Sequence, residues 1–163
     1  MLANSEALWF LGLYMLLCVL CGAIALIDFR RGIIPDGLNL SIAGLGLAQA
    51  VFAGSPADGI ETIGEGIAAG AIFWCLRRLY FLWRKTDGLG LGDVKFLAAA
   101  AMWVGIAGIP TLLVIAALTA LAAAGGLQLA GQQMTRQTSL PFGPFLVAGL
   151  LLTLAAQRWI GIG

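Results

Sequence analysis

Long apolar runs, separated only by short clusters of glycine, proline and charge, follow one another along nearly all of this chain. A hydrocarbon core of about 30 Å is crossed by roughly 17–25 apolar residues in a helix. Windows of that size predict six spans: Ala7–Ile27, Leu38–Ala53, Ile60–Leu82, Val94–Gly108, Thr111–Leu129 and Pro141–Trp159. The breaks carry turn chemistry: Arg31-Gly32, Ile34-Pro35-Asp36, Gly54-Ser55-Pro56, Asp87-Gly88, Gly108-Ile109-Pro110 and the polar stretch Gln132–Ser139. Composition agrees. Apolar residues make up 61% and charged residues 10% of the chain, against about 45–50% and about 25% in soluble proteins. That leaves too little polar surface to face water. The expected fold is all-α, a polytopic membrane bundle of about six transmembrane helices in a single domain, 1–163.

The first span differs from a cleavable signal peptide. It has Glu6 where a basic segment belongs and no small-residue cleavage pattern before Asp28. Basic residues collect on the cytoplasmic side of membrane proteins. With the N-terminus outside, Arg30, Arg31, Arg77, Arg78, Arg84, Lys85, Lys95 and Arg136 all fall on or near that side, and only Arg158 falls outside. Arg77 and Arg78 lie near the end of the third span and must snorkel to the interface.

The chain has no histidine. Ser-His-Asp and Cys-His catalysis and His-ligated zinc are therefore excluded within it. Cys18 and Cys21 form a CxxC inside an apolar run, which reads as helix packing. A net charge of +1 gives no electrostatic case for nucleic acid, and no cofactor or metal is implied. The carboxylates remain. Glu6, Asp58, Glu61 and Glu65 read as outer-face charge, whereas Asp28, Asp36, Asp87 and Asp93 lie at the cytoplasmic ends of spans.

Asp28 closes an apolar run, at a depth where an ionisable group needs a partner, water or a function. Asp36 follows Pro35, which interrupts the helix. Asp93 ends the sequence Gly88-Leu89-Gly90-Leu91-Gly92-Asp93, whose alternating glycines permit close approach and unusual backbone conformations. Chance gives on the order of 0.1 such G-x-G-D matches in a chain of this composition, so its position at the mouth of a span carries the weight. Two aspartates at a wet pocket resist joint ionisation and can share a proton. One then deprotonates a water while the other polarises or protonates a scissile carbonyl, with no histidine or metal. A Ser-Lys pair is the other protease chemistry this composition allows, but nothing local marks Ser139 as a nucleophile beside Lys85 or Lys95.

Three stretches resemble the type IV prepilin peptidases, polytopic aspartic proteases of the bacterial inner membrane with a G-x-G-D signature. Residues Ile27 to Asn39 resemble I-D-x(5–6)-[IL]-P-D-x-L, Asp87 to Leu97 resemble E-G-M-G-x-G-D-V-K-L-L, and Leu140 to Leu146 resemble I-P-F-G-P-F-L. The resemblance implies that Asp28 and Asp93 are the catalytic pair at the cytoplasmic face. Asp36, Gly90, Gly92, Lys95 and Asp87 would shape the site or bind substrate. Lys95, two residues past Asp93, points to a different helix face and is not its ion partner. Pro141-Phe142-Gly143-Pro144 reads as helix-start punctuation. The implied substrates are prepilins or pseudopilins: a basic leader, a cleavage site after glycine, then an apolar helix entering from the lipid. Asp36 and Asp87 would attract the basic leader.

Asp87 and Leu89 stand where the family commonly has Glu and Met. Larger members also carry an N-terminal domain with two zinc-binding CxxC pairs and methylate the new pilin N-terminus. This chain starts essentially at the protease core. Leader removal is therefore implied, and methyl transfer by this chain is not expected; any methylation would call for a separate methyltransferase. A small transporter or a pilus or secretion assembly subunit, using Asp28 and Asp93 for ions or helix contacts, is the competing reading.

Overall fold

The computed structural model describes residues 2–85, 88–129 and 141–160. They form five helices: α1 (Leu2–Arg31), α2 (Asp36–Ala53), α3 (Pro56–Arg84), α4 (Leu91–Leu129) and α5 (Gly143–Ile160). Three stretches, Leu8–Arg31, Pro56–Arg84 and Leu91–Leu129, are long and apolar enough to cross a membrane. Their most apolar windows are only 22–28% buried inside the protein, and Met15, Val19, Leu121 and Trp83 point outward. Apolar surface on that scale is stable against lipid and not against water.

The sequence signals locate most helix ends. Gly32 stops α1 with a left-handed φ of 64° and donates its N–H to the Asp28 carbonyl at 2.8 Å. Pro35 caps α2, and Asp36 occupies its first turn, where the helix dipole favours negative charge. At the start of α3, Ser55 and Asp58 cap one another reciprocally. Asp58, read as outer-face charge, thus has a local structural task. In the CxxC, Cys21 is buried in the core while Cys18 is exposed, and both are free thiols.

The fourth and fifth predicted spans share one element, α4, and the expected break at Gly108–Pro110 lies elsewhere. The helical backbone is interrupted at Gly105, with φ 70° and ψ 166°, a conformation open essentially to glycine alone. Pro110 follows shortly after and is accommodated within the helix. Contacts with α5 show the path. Asp93, near the start of α4, shares a cavity with Phe142 at the start of α5. Near the far end, Gln157 Nε2 donates to the Val104 carbonyl at 2.9 Å. Gly149, between them, lies against Leu112 and Ala116. The chain therefore climbs along α5 over 91–104 and returns along it over 106–129.

α4 packs against α2, α3 and α5, and α1 packs against α2 and α5. Leu17, Cys21, Ile24, Ile42, Phe96, Leu97, Leu112, Leu146 and Leu150 form the common core. On α2, Ile42 accepts the Trp103 indole N–H at 2.9 Å through its carbonyl, and Gly46 admits the same ring.

The break at Gly105 frees the Ile106 amide, which donates to Glu65 Oε1 of α3 at 3.2 Å. A Cβ at position 105 would lie 3.1 Å from that oxygen in a backbone conformation hostile to side chains. Gly105→Ala should therefore lower stability by about 1–3 kcal/mol, read as a fall in the thermal midpoint of the protein in detergent. An unchanged midpoint would show that this turn is not formed.

Candidate active site

The site begins at the last turn of α1. Asp28 is only 5% exposed, although Arg30 and Arg31 beside it are exposed. A buried carboxylate needs a donor, and Asp28 Oδ2 accepts the Gly143 backbone N–H at 2.8 Å. That amide belongs to the first turn of α5, where N–H groups lack partners within the helix. The approach is close enough that a Cβ on Gly143 would lie 2.6 Å from Oδ2. A residue read from sequence as punctuation thus holds the candidate catalytic carboxylate. The sequence carried no signal for this, since the contribution is a backbone N–H that any residue but proline has.

Asp93 stands in the first turn of α4, with its carboxylate close against Gly90. Neither Gly90 nor Gly92 has a positive φ, so the expected unusual backbone is not their contribution. They supply proximity instead. A Cβ on Gly92 would lie 3.1 Å from the Ile34 side chain, and one on Gly90 would lie 3.1 Å from Asp93 Oδ2.

Asp28 and Asp93 line one cavity of about 820 Å³, together with Asp36, Lys95, Gly90 and Gly92. Ile33, Ile34, Pro141 and Phe142 complete its wall. The two aspartates are near enough for their charges to repel. Among the described residues α1 and α4 have no close backbone contact, so the carboxylates meet across open space and not through packed helices. No three ligating side chains gather as a metal site among the described residues.

Lys95 turns away from the aspartate pair and grips Asp36, with Nζ 2.7 Å from both carboxylate oxygens. Both side chains are at least half exposed, so the pair contributes roughly 0–1 kcal/mol to stability. Asp36 is thus already paired, and a basic leader reaching it must compete with Lys95. Asp87 and Ser139 lie outside the described residues. Glu65, read as outer-face charge, proves to cap the break in α4, a role visible only once Gly105 is known to break the helix.

Residues 15–125 match the model of the type IV leader peptidase family. The chain is 36% identical over 138 residues to "Prepilin leader peptidase/N-methyltransferase" of Burkholderia pseudomallei (strain 1026b), covering 85% of this chain and 44% of that protein. The protein of the same description from Escherichia coli (strain K12) is 33% identical, covering 84% of this chain and 60% of that one. The chain thus spans roughly half the length of these relatives. "Leader peptidase HopD" of Escherichia coli is 38% identical over 144 residues, covering 85% of this chain and 87% of HopD. No solved structure matches. With the family model covering most of its length and a relative of similar size matching nearly end to end, this chain belongs to the type IV leader peptidase family.

Proposed function

We propose that the protein is an aspartic endopeptidase of the bacterial cytoplasmic membrane that removes the basic leader of type IV prepilins or pseudopilins. The observation that carries this reading is the shared cavity: Asp28 and Asp93, from separate helices, line one open space with no histidine in the chain. The relatives' names supply the substrate class. We read α4 as two crossings, which gives six in all, with the N-terminus outside. The aspartates then lie toward the cytoplasm, the side on which this topology also puts Arg30 and Arg31 in the last turn of α1 and Arg84 in that of α3, in keeping with the bias of basic residues to that side.

In this mechanism one carboxylate takes a proton from water, and the hydroxide so formed attacks the scissile carbonyl carbon. The other carboxylic acid protonates the carbonyl oxygen. Collapse of the tetrahedral intermediate breaks the C–N bond, with a proton passing to the leaving nitrogen. The Gly143 N–H fixes one oxygen of Asp28, so the other is the one presented to water. The aspartates act by proton transfer, and the bundle positions the chain to be cut.

Asp28→Asn and Asp93→Asn should each reduce leader removal by about 10²–10⁴-fold, measured by the mobility shift of a co-expressed prepilin. Normal processing by either variant would sink the dyad, whereas no processing by the unaltered protein would favour a transporter or assembly subunit. Gly143→Ala should also impair processing, by at least tenfold, since its Cβ intrudes on Asp28; wild-type rates would show that this bond does not position the carboxylate. Asp36→Asn should cost less than tenfold, with little change in thermal midpoint because the lost ion pair is exposed. Complete loss of cleavage in a folded Asp36→Asn protein would instead place Asp36 among the reacting groups.

A further inference from the structure

A second cavity, of about 560 Å³, lies between α2, α3 and α4, and the leader-peptidase reading gives it no task. Its wall is almost wholly apolar, with Ala43, Ile67, Gly70 and Ala98 among its lining. Leu40, Ile63 and Ile67 on its rim are exposed, so it opens sideways toward lipid. One polar side chain deep in it stands out. Asn39 is 4% exposed, and among the described residues neither its Nδ2 nor its Oδ1 has a hydrogen-bond partner. Buried amides are nearly always paired, and an unpaired one is costly. Nothing in the packing of α2 requires an amide there. A leucine would fill similar space without that cost.

Asp36 and Lys95 line both cavities. The two cavities therefore adjoin at this ion pair, which places the apolar groove next to the space that holds the aspartates. A segment being cut must be unwound at the scissile bond, and a helix starting just beyond it has N–H groups without internal partners. In lipid such groups need protein partners. The Asn39 amide offers one acceptor and two donors, matching a peptide N–H and C=O.

On the reading that the protein is a leader peptidase, we propose that this groove holds the first turns of the substrate's apolar helix. Asn39 is then a substrate-positioning residue that pairs with the unwound backbone just after the cleavage site. The groove sets the register of the substrate and the Asp28 and Asp93 cavity cuts it.

The test uses the full chain in liposomes with a prepilin-type polypeptide, a basic leader followed by an apolar helix. Asn39→Leu should raise KM and lower kcat/KM by roughly tenfold, the loss of one buried hydrogen bond to substrate. It should leave the thermal midpoint unchanged or raised, because an unpaired amide has been removed. A structural role for Asn39 moves the midpoint the other way, and a fall in midpoint that accounts for the lost activity overturns the proposal. A photo-cross-linking side chain at Ile67 should capture the apolar helix of the same polypeptide. Capture of lipid alone, together with wild-type KM in Asn39→Leu, also overturns it. The two readings fail separately: normal cleavage by Asp28→Asn refutes the dyad and leaves the KM and cross-linking results to judge the groove.

Discussion

The bond from the Gly143 amide to Asp28 joins residues 115 positions apart, and the candidate site depends on it. It answers two demands at once. The start of α5 has backbone donors without partners inside the helix, and a carboxylate buried at the end of α1 cannot stay there unpaired. Each group removes the other's penalty. The same bond ties the first helix to the last and fixes the wall of the cavity opposite Asp93. Glycine at position 143 follows from this geometry, since any side chain there would occupy the space of the carboxylate.

The same principle accounts for the break in α4. Glycine at 105 allows the chain to reverse, and reversal strands the Ile106 amide, which Glu65 receives. The turn lets 91–104 and 106–129 both pack on α5. Asp93 is thereby placed at the end of the bundle where Asp28 and Gly143 meet. An acid on α3 thus supports, through a backbone turn, the placement of an acid on α4. Neither depends on a surface ion pair. A surface ion pair, Lys95 with Asp36, sits at the junction of the two cavities, where its small energetic value matters less than the charge it keeps at the opening.

Much of this was legible in the sequence because lipid makes helix ends conspicuous. Gly32, Pro35 and Ser55 stand at the ends of helices, and the aspartates expected to meet do line one cavity. The position of the α4 break was not legible. Gly108-Ile109-Pro110 is the stronger turn signal by composition, yet a proline costs a helix one hydrogen bond and does not reverse it. The reversal needs a positive φ, and one glycine among the chain's 23 does not announce its dihedral angles. Gly143 was missed for a related reason. Its contribution is a backbone N–H, which every residue but proline carries, and what singles it out is the closeness of a side chain from the other end of the chain. The partnership of Lys95 with Asp36 was likewise hidden, because sequence spacing could say only which aspartate Lys95 does not face.

Asn39 sharpens the contrast. Asp28 is matched by Gly143 and Trp103 by Ile42, whereas among the described residues neither atom of the buried Asn39 amide is paired, a state it shares with the Thr153 hydroxyl. Burial without a partner is tolerated where a partner arrives from outside. On the proposed reading the carboxylates and the amide divide the work by chemistry. The acids can exchange protons with water, so they belong in the open polar cavity. The amide cannot ionise at all, so it can remain in an apolar groove without the penalty a charge would incur, and it can recognise a backbone, which all substrates of a leader peptidase would share whatever their side chains.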